Sequence, residues 1–250
     1  WFSVFLFFIN PGMYKQMMND DFDIIHAVGI RSFQAFIATI ISKRKKIPLV
    51  ISDQGGLTTH PDLKESSFKK RILIKMQQPV IKFIINHASK IIVPNVYEKK
   101  IFLNFCDEEK ISIVRNGIDI NEFKFHESDV TKKFKINGEF ILFLGRFHEV
   151  KGIDTLLEAI NLIKKNPSLE KIKIMIMGVD FGYENEMESI IKKFNLFENV
   201  VVVKKPTRKD VISAYNECKF LVLPSKWELS PLTPLEGFAC KKTVISTTAH

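Results

Sequence analysis

A chain of 250 residues with 46% hydrophobic and 26% charged residues has the composition of a globular protein, which excludes a disordered or collagen-like chain. Its formal net charge of +9 suits acidic partners such as phosphates or an anionic membrane surface, although solubility alone would also explain it. Lysine is spread along the chain rather than clustered, which argues against nucleic acid as a partner.

The three cysteines, Cys106, Cys218 and Cys240, form no C-x-x-C pair. Their odd number and wide spacing favour a reducing compartment and argue against a disulfide framework or a zinc site. We therefore expect a cytoplasmic protein with no metal. The chain begins at Trp1 rather than Met, so we expect a fragment of a longer protein that lacks both ends. The opening apolar run, Trp1–Ile9, is too short to span a bilayer.

Apolar runs alternate with helical patterns along the whole chain. Strands are predicted at Asp23–Ala27, Pro48–Ser52, Lys90–Pro94, Ile111–Val114, Phe140–Leu144, Ile172–Met177, Val200–Val203, Phe220–Leu223 and Val244–Ser246. Helices are predicted near Arg31–Ser42, Ser66–Asn86, Val96–Phe105, Ile153–Lys165, Tyr183–Phe194 and Arg208–Asn216. Most strands are rich in Ile, Val or Phe without polar alternation, as in parallel sheets buried on both faces. The alternation predicts doubly wound α/β units.

A domain boundary is predicted near residue 125. Asn116-Gly117 is a turn signal, and the segment that follows it, up to Glu139, is polar and irregular. Each side of this segment has its own series of strands. We therefore expect two Rossmann-like parallel-sheet domains, residues 1–125 and 126–250, that face each other across a cleft.

The predicted helix Ser66–Asn86 is basic and amphipathic, with lysines such as Lys75 and Lys82 beside apolar residues such as Met76. A helix of this kind can lie on an anionic membrane surface. An ordinary surface helix with a solvated face would have the same pattern. We keep peripheral contact with the inner face of the membrane as one of two interpretations.

The segment GRFHEVKG, residues 145–152, lies between the strand Phe140–Leu144 and a helix. Gly145 permits a tight turn and a close approach of the backbone to a ligand. Arg146 and Lys151 place two cations at the amino terminus of a helix, where the helix dipole and free N–H groups also favour an anion. The spacing is neither that of a Walker A loop nor G-x-G-x-x-G. The segment predicts a diphosphate site, although surface cations in a loop would read the same way.

A second segment, PSKWELSPLTPLE at 224–236, follows the apolar strand Phe220–Leu223. Thr233 is a suitable N-cap, Pro234 fits the first helical position, and Glu236 falls where a capping box needs its acid. Glu228 and Glu236 are thereby expected between the carboxyl end of a strand and the amino end of a helix, where open α/β sheets bind ligands. A capping role for Glu236 and a solvated Glu228 are the alternative interpretation.

Taken in order, the segments NGID, GRFHEVKG, MIMG and PSKWELSPLTPLE resemble the retaining glycosyltransferases of the family-four type, which have the GT-B fold. That family has the pattern G-R-x4-K-G followed by an acid pair spaced E-x7-E, and Glu228 and Glu236 have this spacing. The earlier segments FDIIHAVG and IPLVISDQGGLTTH, residues 22–29 and 47–60, are similar to its amino-terminal, acceptor-side domain.

The resemblance implies roles for residues of the second domain. Arg146 and Lys151 would hold the diphosphate of a nucleotide-sugar donor and stabilise the leaving group. Glu228 would face the donor sugar near the reacting carbon, and Glu236 would accept hydrogen bonds from the ribose. The backbone of Gly145, the loop that ends at Leu232, and Thr233 would line the donor site. The donor is a substrate, so no cofactor is expected, and the two cations replace a metal.

The first domain departs from the family at one position. Where the family commonly has a histidine at the end of a strand, this chain has Gln54, followed by Gly55. Glutamine can form hydrogen bonds but cannot titrate, which puts an acid–base role at this position in doubt. Gln54, Gly55 and His26 are the candidates for the acceptor and sugar side. His60 lies nearby in the sequence and could substitute for the missing histidine, although an ordinary loop histidine is the favoured interpretation. His26 also fits a satisfied buried or cleft-lining histidine.

The expected function is transfer of a sugar from a nucleotide-diphosphate sugar to a glycan, lipid-linked or polysaccharide acceptor, with retention at the anomeric carbon. Two alternatives stay open. A catalytically inactive sugar-nucleotide binding module would be consistent with Gln54. A GT-B-type sugar-nucleotide epimerase would need an acid–base pair that the sequence does not offer.

Overall fold

The computed structural model describes residues 10–57, 68–124 and 129–248, and it divides the chain into two compact units. Unit 1 is Trp1–Asn116 and unit 2 is Gly117–His250. The division falls at the Asn116-Gly117 turn itself, somewhat before the boundary predicted near residue 125. Trp1–Ile9 and His60 lie outside the described residues.

Unit 1 contains one parallel four-stranded sheet in the order β1-β2-β3-β4. Among the described residues of this unit, the helices are α1 (Pro11–Asn19), α2 (Phe33–Lys45), α3 (Phe68–His87) and α4 (Val96–Phe102). The strands are β1 (Ile25–Val28), β2 (Leu49–Ser52), β3 (Lys90–Val93) and β4 (Ile111–Ile113), and a short 3-10 helix lies at Glu108–Lys110. Helices α2 and α4 begin at side-chain caps, because Ser32 accepts from the Ala35 N–H at 3.0 Å and Asn95 accepts from the Glu98 N–H at 2.8 Å.

Unit 2 contains a parallel five-stranded sheet in the order β7-β6-β5-β8-β9. Its strands are β5 (Phe140–Leu144), β6 (Lys173–Gly178), β7 (Val200–Lys204), β8 (Phe220–Leu223) and β9 (Val244–Ser246). Its helices are α5 (Val130–Lys133), α6 (Ile153–Ile163), α7 (Glu184–Lys193), α8 (Arg208–Glu217) and α9 (Thr233–Ala239), with 3-10 helices at Ile120–Phe123 and Glu149–Lys151.

The sheet of unit 2 is buried on both faces. Phe140 and Leu142 of β5 belong to one hydrophobic cluster, whereas the alternate residues Ile141 and Phe143 belong to a second cluster on the opposite face. This is why β5 reads as a continuous apolar run rather than an alternating one. The doubly wound α/β arrangement predicted for this half of the chain is confirmed.

The predicted strands are all present within two residues at each end, and the predicted helices within three. Helix α1 was not predicted, although Asn10 caps it, accepting from the Gly12 N–H at 3.1 Å, with Pro11 at its first position. The capping box predicted at Thr233 is wrong, because the helix already begins at Thr233 and Leu232 is its N-cap without a side-chain bond. None of the described helices is long and apolar enough to cross a bilayer.

The carboxyl ends of β5 and β6 approach so closely that only glycine fits at the end of β6. A Cβ atom at Gly178 would lie 1.8 Å from the carbonyl oxygen of Gly145. By contrast, no heavy atom lies within 4 Å of a Cβ built on Gly117. The end of β6 therefore helps to set the path of the loop that leaves β5.

We expect Gly178→Ala to lower the free energy of unfolding by about 2 kcal/mol or more, because the added methyl group forces the two strand ends apart. Gly117→Ala is the matched control and should change stability by less than about 0.5 kcal/mol. Urea unfolding of both variants measures the difference. Equal stability of the two variants would contradict the close approach.

Candidate functional site

The order of strands in unit 2 reverses at β5. The chain runs from β5 outward to β6 and β7, and then returns to place β8 on the other side of β5, where Ile141 pairs with Phe220 and Leu142 with Leu221. The loops that follow β5 and β8 therefore leave the sheet side by side, at the same edge. In open parallel sheets this switch point is where ligands bind.

The two loops are joined through their backbones. The N–H of Lys226 donates to the carbonyl of Val150 at 2.8 Å. Gly152 has φ 66°, and a Cβ there would lie 2.0 Å from the carbonyl oxygen of Pro224, so only glycine permits this contact. Gly145 does not have a positive φ, and the left-handed backbone conformation in this loop is at Gly152.

This contact brings together two of the predicted site residues. The Lys151 ammonium forms an ion pair with Oε1 of Glu228, and the two side chains are only 14% and 13% exposed. The hydroxyl of Ser225, itself fully buried, donates to the same Oε1 at 2.7 Å. The loop after β5 and the loop after β8 thus place a cation and a carboxylate in direct contact at the switch point.

Arg146 lies in the same loop as Lys151 but points elsewhere. Its exposed guanidinium lies over the ring of Phe181, 5.1 Å from the ring centroid. Phe181 follows β6 and is fixed beside the loop, because its N–H donates to the carbonyl of Phe147 at 2.9 Å. Among the described contacts, Arg146 meets Phe181 rather than Lys151 or Glu228, so the predicted four-residue cluster is only partly assembled.

Glu236 is buried in the first turn of α9, where two side chains hold its carboxylate. Arg208 donates to Oε1 at 3.0 Å and the hydroxyl of Tyr215 donates to Oε2 at 2.6 Å. Arg208 also donates to both oxygens of Glu122, at 2.7 and 2.8 Å, and its guanidinium lies 5.0 Å from the ring centroid of Phe123. Glu236 is therefore an oriented carboxylate rather than the helix cap predicted as its alternative role.

The charges of this network shift the pKa values of its members. Hydrogen bonding to Glu122 raises the pKa of Arg208 above its ordinary value, with Glu236 contributing to the same effect. Burial raises the pKa of Tyr215, and the neighbouring charge of Glu236 raises it further. Tyr215 thus stays protonated at neutral pH and remains a hydrogen-bond donor to Glu236.

Sequence reasoning missed Arg208, Tyr215 and Ser225. Arg208 and Tyr215 belong to α8. In that helix Thr207 is the N-cap and forms a capping box with Asp210, and the sequence shows only that Arg208 follows this cap. No sequence pattern points from α8 to α9. Ser225 stands in the segment PSKWE next to Glu228, and its burial is the feature that the sequence did not reveal.

Leu232 and Thr233, the other predicted donor-site residues, stand where the loop after β8 enters α9. Leu232 is 44% exposed, and Thr233 is half-buried. They stand at the N-cap and the first position of the helix whose first turn carries Glu236.

The candidates in unit 1 lie near the carboxyl ends of β1 and β2. The amide of Gln54 is exposed and donates to Oδ1 of Asn116 at 3.4 Å. His26 is on the exposed face of β1, with Nε2 2.6 Å from the hydroxyl of Ser52, so a buried His26 is wrong. Gly55 has φ 89°, a left-handed turn directly after Gln54.

Beneath this turn lies a buried carboxylate, Asp53, which is 1% exposed. Its oxygens accept from the N–H groups of Ile30 and Leu57, both at 3.2 Å. A Cβ at Gly56 would lie 2.4 Å from Oδ1 of Asp53, so the Gly-Gly pair is shaped around this side chain. Asp53 therefore fixes the loop that carries Gln54.

A second buried carboxylate, Glu98, lies close to Asp53. It is 1% exposed, and within the described ranges neither of its oxygens has a hydrogen-bond partner of good geometry, although the Gly55 backbone favours its charged form. Burial, followed by the charge of Asp53, raises the pKa of Glu98 to about 7. Burial also raises the pKa of Asp53, while the Arg31 guanidinium opposes that shift. Unit 1 therefore carries an ionisable group that is costly to deprotonate in the folded state.

We expect the stability of the protein to fall as the pH rises from about 4.5 to about 7, and Glu98→Gln to remove much of this dependence. The folded state binds more protons than the unfolded state in this window, because only the folded state raises the pKa of Glu98. The Gln variant should be more stable than the wild type at pH 8, with a smaller difference at pH 5. Urea unfolding across this range measures it.

Glu109→Gln, at an exposed acid, is the control and should follow the wild-type pH dependence. A Glu98→Gln variant that is less stable than the wild type at pH 8 would contradict the unfavourable ionisation of Glu98.

Among the described residues, no group of three His, Cys, Asp or Glu side chains could hold a metal ion. The three cysteines carry free thiols. Burial raises the pKa of Cys218 to about 12 and also raises those of Cys106 and Cys240. These thiols are therefore protonated and poorly nucleophilic.

Relatives agree with the sequence pattern. Among curated proteins, an uncharacterized glycosyltransferase of Methanocaldococcus jannaschii is 26% identical over 217 residues. The match covers 86% of this chain and 53% of the relative. The UDP-Gal:alpha-D-GlcNAc-diphosphoundecaprenol alpha-1,3-galactosyltransferase of Escherichia coli is 23% identical over 239 residues, covering 90% of this chain and 57% of the relative. The chain thus spans little more than half the length of these relatives.

Solved structures share the fold. The Anabaena protein HepE, in complex with UDP-glucose, matches 96% of this chain and 63% of its own with a TM-score of 0.72 at 19% identity. Sucrose-phosphate synthase of Thermosynechococcus elongatus matches 96% of this chain and 60% of its own with a TM-score of 0.71 at 16% identity. The predicted GT-B fold class, with two parallel-sheet α/β units, is confirmed.

Two family models together match most of the chain. The model described as Glycosyltransferase Family 4 matches residues 2–122, and the model described as Glycosyl transferases group 1 matches residues 125–250. The second match covers half of the chain and contains the loops after β5 and β8. The chain therefore belongs to the glycosyl transferases group 1 family.

Proposed function

We propose that the protein transfers a sugar from a nucleotide-diphosphate sugar to a glycan, lipid-linked or polysaccharide acceptor, with retention of the anomeric configuration. The observation that carries this proposal is the contact between the loops after β5 and β8. It places the cation Lys151 and the carboxylate Glu228 together at the switch point of a parallel sheet, where one can meet a phosphate and the other a sugar hydroxyl.

Each donor-site residue has a role in this proposal. Lys151 and Arg146 hold the diphosphate, and Arg146 leaves the ring of Phe181 or moves with it to do so. Glu228 accepts hydrogen bonds from the donor sugar. Glu236, oriented by Arg208 and Tyr215, accepts hydrogen bonds from the ribose hydroxyls.

In the transfer step, the bond between the anomeric carbon and the β-phosphate oxygen breaks, and a bond forms between that carbon and an acceptor hydroxyl oxygen. The proton of the acceptor hydroxyl ends on the released diphosphate. The leaving group gains negative charge as the bond breaks, and preorganised cations beside it lower the barrier. We propose that Arg146 and Lys151 supply this stabilisation without a metal ion, so activity should persist in EDTA.

Two names among the similar proteins guide the choice of probes. HepE was solved with UDP-glucose, and the E. coli relative is named for UDP-Gal and a diphosphoundecaprenol acceptor. We propose UDP-sugars as the first donors to test and lipid-linked glycans among the first acceptors.

Peripheral contact of α3 with an anionic inner-membrane surface stays a prediction, which vesicle sedimentation at low and high salt would test.

A panel of UDP-, GDP-, ADP- and dTDP-sugars is expected to contain at least one that raises the melting temperature of the intact protein, because a ligand that binds the folded state stabilises it. Arg146→Ala and Lys151→Ala should each abolish most of that shift. Lys219→Ala is the matched control: it removes an equal charge, paired with Glu139 at the opposite end of β8, and should leave the shift unchanged. A full shift in both site variants would contradict the assignment.

Turnover separates the transferase from the two alternatives. With the donor selected by the panel, the wild type should hydrolyse or transfer the sugar, and Glu228→Gln should reduce the rate by about 100-fold or more. NMR of the sugar product, recorded before its anomers interconvert, should show the anomeric configuration that the sugar had in the donor. Binding without turnover in the wild type would favour the inactive binding module, and an altered sugar on intact donor would favour the epimerase.

A further inference from the structure

The ion pair between Lys151 and Glu228 sets a competition for Lys151. A diphosphate that contacts Lys151 must share or replace its carboxylate partner. Both side chains are more than four-fifths buried, so water screens this pair less than an exposed surface pair. Removing Lys151 from Glu228 leaves a carboxylate without its charge partner in a poorly solvated position, and this opposes diphosphate binding.

The competing carboxylate is fixed in place before any ligand arrives. Ser225 donates to the oxygen of Glu228 that Lys151 contacts. The loop behind it is held by the bond from the Lys226 N–H to Val150 and by the ion pair of Lys226 with Asp154 at 2.6 Å. Glu228 is therefore not a mobile side chain that can swing away into solvent at little cost.

An intact donor and a released nucleoside diphosphate differ in what they offer to Glu228. The sugar of the donor carries hydroxyl groups that can donate to the carboxylate and replace the bond from Lys151. A nucleoside diphosphate has no such hydroxyl groups beside its β-phosphate. It can therefore gain Lys151 only by leaving Glu228 without a charge partner, because the Ser225 hydroxyl that remains is neutral.

We propose, on the basis of the function proposed above, that Glu228 discriminates between donor and product: it competes with the released nucleoside diphosphate for Lys151 but is satisfied by the sugar of the intact donor. After transfer, Glu228 reclaims Lys151 and weakens the hold on the diphosphate. The same side chain thus favours donor binding and product release.

The test compares the dissociation constants of UDP and UDP-glucose by isothermal titration calorimetry. GDP and GDP-mannose replace them if a GDP-sugar is the donor that raises the melting temperature in the panel. In Glu228→Gln, UDP should bind about tenfold more tightly than to the wild type, at the low end of the coupling measured between close charges. UDP-glucose should gain less, because it loses the carboxylate that its hydroxyl groups contact. The preference for donor over product should therefore fall.

Glu149→Gln is the matched control, because it removes the same charge from an exposed position two residues from Lys151. It should leave the ratio of the two dissociation constants unchanged. Unchanged or weaker UDP binding in Glu228→Gln, or equal tightening in Glu149→Gln, would overturn the inference while leaving the transferase intact. If the wild type binds none of the nucleotide sugars of the panel, the proposed function fails together with this inference.

Should Glu228→Gln lower the melting temperature of the unliganded protein enough to prevent titration, Ser225→Ala replaces it. That variant keeps the carboxylate but removes the hydroxyl that holds it against Lys151. It should shift the ratio in the same direction by a smaller factor. An unchanged ratio in Ser225→Ala would overturn the inference.

Discussion

The candidate site depends on one close approach between backbones. Gly152 and the Pro224 carbonyl pack so tightly that a methyl group cannot enter between them, and the Lys226 N–H bonds to Val150 next to this contact. The pairing of β5 with β8 brings the loops to the same sheet edge, but this contact fixes their spacing. Lys151 and Glu228 are in contact because the backbone contacts of Gly152 with Pro224 and of Lys226 with Val150 hold their two loops together.

Unit 1 shapes its corresponding loop by a different means. There the loop after β2 surrounds the buried carboxylate of Asp53. This carboxylate accepts hydrogen bonds from backbone N–H groups of the loops after β1 and β2. Hydrogen bonds to a carboxylate position a backbone well, but the buried charge is unfavourable, and Glu98 beside it adds to the cost. Unit 2 relies on glycine and backbone contact, whereas unit 1 relies on buried acids.

The parts of the fold that depend on short stretches of sequence were predictable. Apolar runs defined the strands, and the GRFHEVKG and PSKWELSPLTPLE segments located the loops that hold Lys151 and Glu228. The surroundings of Glu236 were not predictable, because Arg208 and Tyr215 reach it from a helix that precedes it by a strand. The direction of Arg146 was also hidden, since its partner Phe181 follows a different strand.

Local rules also gave one misleading answer. Thr233, Pro234 and Glu236 satisfy the pattern of a capping box, yet Glu236 is turned inward to two long-range partners. Glu236 bonds to Arg208 rather than to its own helix terminus, because the arginine adds a full opposite charge to the hydrogen bond. The sequence pattern shows what a residue could do locally but not which partner the fold supplies.

The contact between Arg208 and Glu122 has a consequence for how unit 2 can be isolated. Glu122 and Phe123 precede residue 125, where the family match begins. Glu122 nevertheless accepts two hydrogen bonds from Arg208, and Phe123 packs against both Arg208 and Tyr215. A truncated protein that started at the family boundary would lose the Glu122 bonds and the Phe123 contact that help to position Arg208 against Glu236. The working length of unit 2 therefore includes the 3-10 turn at Ile120–Phe123, upstream of residue 125.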